Sequence, residues 1–175
     1  MLFELGIWNA WWFSLCYLML TTSILQIFPK WVRIRFTIVP NLGIYSILLY
    51  FNFLTMLISS IFIPIQFSKM IFIPGVLLLL LGMGAYSWSL FTFAITPPQE
   101  IARKHLYKYS RNPAYVSGHM IWLGVGLAAN NILFYILIAF QVLLLHKQIL
   151  AEEIYLRKKY GKIYLDYHQQ TRRYF

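Results

Sequence analysis

Long apolar runs separated by short polar clusters set the pattern of this chain. Leu5 to Phe28, Leu42 to Ile63 and Phe72 to Ile95 each reach the roughly 20 largely apolar residues that a helix needs to cross a bilayer. Proline marks their ends: Pro29 follows the first, Pro40 and Pro64 flank the second, Pro74 lies near the start of the third, and Pro97 and Pro98 follow it. A fourth block, Ala114 to Leu150, is too long for one crossing and is broken at Asn130 and Asn131, which predicts two antiparallel helices joined by a tight turn. The pattern therefore predicts an all-α polytopic membrane protein, a single membrane domain over 1–175 with five transmembrane helices at about 5–28, 42–63, 72–95, 114–129 and 131–150. The last crossing runs on as helix to Tyr160, Gly161 stops it, and Lys162 to Gln170 form a short interfacial helix with Ile163, Leu165 and Tyr167 available for contacts.

Composition agrees with a lipid solvent, since 60% apolar against 11% charged residues cannot give 175 residues a polar outside. The basic residues then orient the helices. Lys30, Arg33 and Arg35 follow the first helix, and Arg103, Lys104, Lys108 and Arg111 follow the third. Lys147, Arg157, Lys158, Lys159, Lys162, Arg172 and Arg173 close the chain, so only Lys69 falls on the other face. The positive-inside rule puts the N-terminus outside and the C-terminus in the cytoplasm. The net charge of +10 is then a juxtamembrane feature suited to anionic headgroups, with membrane lipids as partners and no nucleic acid. Glu4 and the lack of a basic residue before the first apolar run speak against a signal peptide. Cys16 reads as a small packing residue, and no metal-ligand cluster can be assembled around it.

Chemistry must reside in the polar stretches, 96–113 and 151–175. Asn112 suits a helix N-cap and Pro113 a first helical position, so the fourth crossing begins there. With Arg111 beside them, the free amides of that terminus form a site for a carboxylate or phosphate; alternatively the trio only starts a helix and marks its side. Asn112, Tyr115, His119 and Trp122 share a helix face. An ionisable group two turns into a membrane helix faces the interior or a wet cavity, which makes His119 a candidate, either functional or a hydrogen-bonded structural histidine. Glu152 and Glu153, two of the five acidic residues, lie about a turn past the last crossing. They are either a solvated pair balancing Arg157 and Lys158 or part of a site, because the hairpin returns them to the end where Arg111 sits.

In order and spacing these residues resemble the membrane-embedded isoprenylcysteine carboxyl methyltransferases and related phospholipid methyltransferases. The family pattern is a tyrosine, three residues, then Arg-His-Pro-x-Tyr-x-Gly, a hairpin, a double glutamate, an aromatic and glycine, and spaced tyrosines. Here it runs through Tyr107, Arg111, Asn112, Pro113, Tyr115 and, one residue later than usual, Gly118, then Glu152, Glu153, Tyr160, Gly161, Tyr164 and Tyr167, with Trp88 and the closing TRRYF also similar. The resemblance implies S-adenosylmethionine bound at the cytosolic face, within cofactor-binding segments 96–113 and 151–175, and a lipophilic methyl acceptor entering from the bilayer. Gln99, Glu100, Ile101, Ala102, Tyr107, Arg111, Asn112, Pro113, Ala114, Tyr115 and Glu153 would line the cofactor pocket, and Glu152, Glu153 and His119 would be the catalytic candidates, with no metal.

The chain departs from the pattern in three places. His105 and Leu106 replace the usual Gly-Pro before the tyrosine, Asn112 replaces the family histidine, and His146, Lys147 and Gln148 stand where carboxyl methyltransferases carry an arginine said to hold the substrate carboxylate, a role open to Lys147 or His146 here. An amine or thiol acceptor would need a base, which His119 or a glutamate can supply. Two alternatives remain: an NADPH-dependent membrane reductase, because sterol reductases have a similar C-terminal architecture, and a non-catalytic membrane protein whose charges only fix topology.

Overall fold

The computed structural model describes residues 5–28, 30, 32 and 43–174. Glu4, Pro29, Arg33, Arg35, Pro40 and Leu42, used above, lie outside the described residues. Among those described, the chain is all-helical: α1 (Trp11–Ile27), α2 (Ile44–Phe62), α3 (Phe72–Ile95), α4 (Pro113–Ala129), α5 (Ile132–Tyr160) and α6 (Lys162–Gln170), with one 3-10 turn at His105–Lys108. Three of them, α2, α3 and α5, are long and apolar enough to cross a membrane. Their outward faces expose Phe51 and Ile58, Leu77 and Leu81, and Ile136 and Leu143. Apolar bands of this extent belong in lipid, and the protein is an integral membrane protein.

Helix α1 starts later than its apolar run. Asn9 interrupts that run, and its side-chain amide donates to the Ile61 carbonyl at 2.8 Å. The neighbouring backbone pairs with the chain after α2, Ala10 N–H to Ile63 at 2.8 Å and Ile65 N–H to Trp8 at 2.9 Å. The Trp8 carbonyl and the Ala10 N–H thus pair across the bundle, while the Ala10 carbonyl accepts from Phe13 and Ser14 N–H and opens α1. Cys16, expected in packing, is exposed on the outer side of α1.

Helices α3 and α4 form the most extensive pair. A Cβ on Gly124 would lie 2.6 Å from the Gly75 carbonyl oxygen, and one on Gly82 would lie 2.9 Å from the Ile121 nitrogen, so glycines let the two backbones touch. Gly84, the other glycine at that end of α3, faces open space. The turn into α5 is built by the asparagine pair. Asn130 takes φ +45° and Asn131 caps α5 by accepting from Leu133 N–H at 2.9 Å. Across the apolar interior, Asn52 of α2 donates from Nδ2 to Gln141 Oε1 at 2.6 Å and to the Leu137 carbonyl at 3.2 Å, tying α2 to α5.

The apolar part of α5 ends at Leu150, after roughly 28 Å of rise, and the helix continues past it to Tyr160. Glu152 and Glu153 therefore stand beyond the spanning segment but on its rigid extension. Gly161 then ends the helix at φ +53°, donating its N–H to the Arg157 carbonyl at 2.9 Å.

Candidate active site

The end of the bundle where α3 and α5 finish and α4 begins gathers both polar segments. The loop after α3 turns at His105, whose φ of +55° is a conformation that favours glycine. Thr92 Oγ1 lies 3.1 Å from His105 Nδ1, and Trp88 meets the imidazole edge-on with centroids 5.3 Å apart. This is the position where the family pattern has glycine, so the turn is kept and its strain is offset by two side-chain anchors.

The C-terminal segment closes over the loop. Tyr160 donates its hydroxyl to the Pro98 carbonyl at 3.1 Å, and the buried Tyr167 donates to the Tyr107 carbonyl at 2.7 Å. Past α6, Ser110 and Arg172 form a parallel bridge, with Arg111 N–H donating to the Arg172 carbonyl at 2.9 Å. Asn112 sits at the N-cap position of α4 but makes no side-chain cap; its amide donates to the Arg173 carbonyl at 3.1 Å instead. Pro113 opens the helix, where its missing N–H costs nothing.

Beneath this strap lies a buried carboxylate. Arg111 donates to Glu153 Oε1 from Nε at 3.2 Å and Nη2 at 2.9 Å, and through Nη1 to the carbonyls of His168, at 3.0 Å, and Thr171. Arg173 completes the cluster, with Nη2 at 2.9 Å from Glu153 Oε2 and Nε at 3.1 Å from Oε1. Glu153 is 4% exposed. Burial by itself would raise its pKa, but the hydrogen bonds from Arg173 and Arg111 outweigh it and hold the carboxyl below the usual range.

The preceding residue faces elsewhere. Glu152 lines a cavity of about 520 Å³ that follows α5 from Ile138 to Tyr160, roughly 30 Å of helix. Tyr115 donates its hydroxyl to Glu152 Oε1, and Gln148 also hydrogen-bonds this carboxyl. Burial pushes Glu152 up to about 7, further than these hydrogen bonds pull it down. Toward the interior the walls become Leu145, Ile138, Phe53 and Trp122, and toward the tail they include Lys159. His119 lies on the wall one turn deeper than Tyr115. Its Nδ1 is 2.7 Å from the Tyr115 carbonyl, while Nε2 is buried and has no partner among the described residues.

The residues singled out in the sequence fall into three groups. Tyr107, Ala114, Tyr115, His119 and Glu152 line the cavity. Arg111, Asn112, Pro113 and Glu153 stand behind its wall, the first two hydrogen-bonded to the tail. Gln99 and Glu100 are exposed, Ile101 is half-buried and Ala102 buried, all outside the lining. Sequence reasoning passed over Arg173, Gln148 and Lys159 as partners. Arg173 carried a signal in the closing TRRYF, and Gln148 in the stretch where carboxyl methyltransferases have an arginine.

No curated protein and no solved structure matches this chain. The family model for phospholipid methyltransferase matches residues 70–163, more than half of the chain, from just before α3 to the first residues of α6. The match spans the loop, the hairpin and both glutamates, with Tyr115 and Glu152 joined inside the cavity, and the chain belongs to the phospholipid methyltransferase family.

Proposed function

We propose that the protein transfers a methyl group from S-adenosylmethionine to a lipophilic acceptor, a prenylcysteine-like carboxylate or a lipid headgroup, at the cytosolic membrane face. One observation carries this reading: in a member of a methyltransferase family, a single cavity is ionisable at the end beyond the span and apolar at the other. The 17-residue helices α1 and α4 run beside α2, α3 and α5, which supports five crossings with the N-terminus outside and the basic end in the cytoplasm.

The residues at the polar end suit the cofactor. Glu152 and the faces of Tyr107, Tyr155 and Tyr160 suit its ammonium and sulfonium charges, and Lys159 suits its carboxylate. When bound, S-adenosylmethionine supplies an activated methyl group. The protein's task is then alignment in a site closed to water, which the rigid extension of α5 and the strapped loop serve. Arg111, Asn112, Pro113 and Glu153 act by holding that wall, and the segment Gln99 to Ala102 borders the rim next to Pro98, where Tyr160 docks.

Thermal-shift binding of the detergent-solubilised protein tests the reading. Stabilisation is expected with S-adenosylmethionine and S-adenosylhomocysteine. Stabilisation by NADPH alone would replace the methyltransferase with a reductase, and no response to any of the three would favour a non-catalytic protein. A labelled methyl donor added to native membranes then identifies the acceptor.

A further inference from the structure

Away from its polar end the cavity runs into a floor to which five helices each contribute one side chain. The lining residue furthest from that end is Tyr17 on α1, Phe53 on α2, Tyr86 on α3, Trp122 on α4 and Ile138 on α5. Four of the five are aromatic, and their rings meet. Trp122 stands edge-on to Phe53 with centroids 5.7 Å apart and to Tyr17 at 5.5 Å, and Tyr17 reaches Tyr86 at 5.7 Å. Trp122 and Ile138 are buried in this arrangement. One or two turns further on, the same elements place Ala10, Met56, Leu79, Val125 and Phe134 in a continuous core, each at most 3% exposed. The rings therefore rest on close-packed side chains that leave them little room to retreat.

The depth above this floor suits one hydrocarbon chain. Trp122 lies seven residues past Tyr115 on α4, about 10 Å of rise, and Ile138 lies fourteen residues before Glu152 on α5, about 21 Å. An extended chain advancing roughly 1.2 Å per bond fills such a depth with about 8 to 17 carbons. Each carbon added above the floor gains packing contacts with the walls. The first carbon past it must push close-packed rings off their neighbours, which packed cores resist.

We infer that Tyr17, Phe53, Tyr86, Trp122 and Ile138 form a stop that sets the longest apolar chain the acceptor can carry into the cavity. The substrate class is then a lipid that presents one chain of bounded length, with its reactive group held at the Glu152 end. The inference rests on the methyl-transfer reading and adds a length limit to it. The rival arrangement is a chain that leaves sideways into the bilayer past the exposed Tyr50, in which case no residue of the protein bounds its length.

The test reads binding to the full chain in lipid nanodiscs by thermal shift, without cofactor. Its probes are the straight-chain primary alcohols from octanol to docosanol, uncharged throughout, so that length is the variable. Stabilisation is expected to rise with length to a limit and to fall beyond it. Trp122→Ala is expected to move the limit up by about three carbons, and Phe53→Leu, which keeps an apolar side chain and serves where Trp122→Ala does not fold, by about one. Leu81→Ala, on the lipid-facing side of α3, is expected to leave it in place. Stabilisation that continues to docosanol in wild type, stabilisation by none of the alcohols, or a limit that the floor variants leave unmoved overturns the inference. A limit that Leu81→Ala moves equally overturns it as well. Binding of S-adenosylmethionine and S-adenosylhomocysteine is measured on the same samples. Adenosyl binding without a length limit would keep the methyl-transfer reading and remove the stop, whereas a limit in a protein that binds neither compound would keep the stop and sink that reading.

Discussion

Glu152 and Glu153 stand side by side on α5 and face different surroundings. Glu152 accepts the Tyr115 hydroxyl inside the cavity, while Glu153 is enclosed by Arg111 and Arg173 behind its wall. Successive helical residues are rotated by about 100°, so one helix can present a carboxyl to a ligand and another to a structural clamp. Their pKa values move in opposite directions accordingly, Glu152 up and Glu153 down.

Exchanging each for glutamine separates the two roles. At about pH 5, where the folded state keeps Glu152 protonated, Glu152→Gln is expected to leave the melting temperature near that of wild type, and near neutral pH to reduce turnover on the order of 100-fold. Glu153→Gln leaves Arg111 buried against an uncharged partner, and a loss of about 3–5 kcal/mol is expected. Equal melting temperatures for the two variants would contradict the clamp.

The same pair sets a pH dependence of stability. Glu152 is pushed up to about 7 from an ordinary 4.5, so between those values the folded state holds a proton that the unfolded chain has lost. Its contribution is complete below about 4.5 and is lost as pH rises toward 7. Glu153 runs the other way: its contribution is present above the ordinary value and is lost as pH falls through its depressed one. Melting temperatures measured from pH 3 to 8 should decline for wild type on approaching pH 7, on the order of the shift expected from one carboxyl. Glu152→Gln should lack that decline and keep the acid-side loss; a variant profile parallel to wild type would refute the assignment.

Ending the chain at Gln170 removes the Ser110–Arg172 bridge and half of the donors around Glu153. Hydrogen exchange should then speed up at residues 105–112, with Arg111 N–H among the amides most affected, while the α3–α4 interface stays protected. Unchanged protection in the loop would show that the tail does not hold it.

A methyl group at Gly124 has no room, because its nearest neighbours are the Gly75 carbonyl oxygen and the Leu79 nitrogen, both 2.6 Å away. Gly124→Ala should cost about 1–3 kcal/mol by forcing α3 and α4 apart. Gly84→Ala, which meets open space, should be close to neutral or slightly stabilising. Similar effects of the two substitutions on melting would place the contact elsewhere.

Much of the helix layout could be read from local chemistry. Pro113 at the first turn of α4, Asn130 and Asn131 in the hairpin turn and Gly161 after Tyr160 each act through backbone angles or caps that a residue carries with it. The start of α1 could not be read in this way, because Asn9 ends the apolar run only by bonding to Ile61, 52 positions away. Nor could the pairing of Asn52 with Gln141, which depends on how α2 and α5 cross.

The candidate site divides along the same line. The sequence by itself determined that the chain is apolar enough to require lipid, that a hairpin returns its ends to one face, and that Arg111, His119 and the glutamates are the polar groups near that face. Those are consequences of composition, spacing and helix length. Tertiary structure decided which carboxyl enters the cavity, that Arg173 shares Glu153 with Arg111, and that His119 Nε2 is buried without a partner among the described residues. These depend on the rotation of α5 about its axis and on a tail folded back from 20 residues away, and no local pattern encodes either.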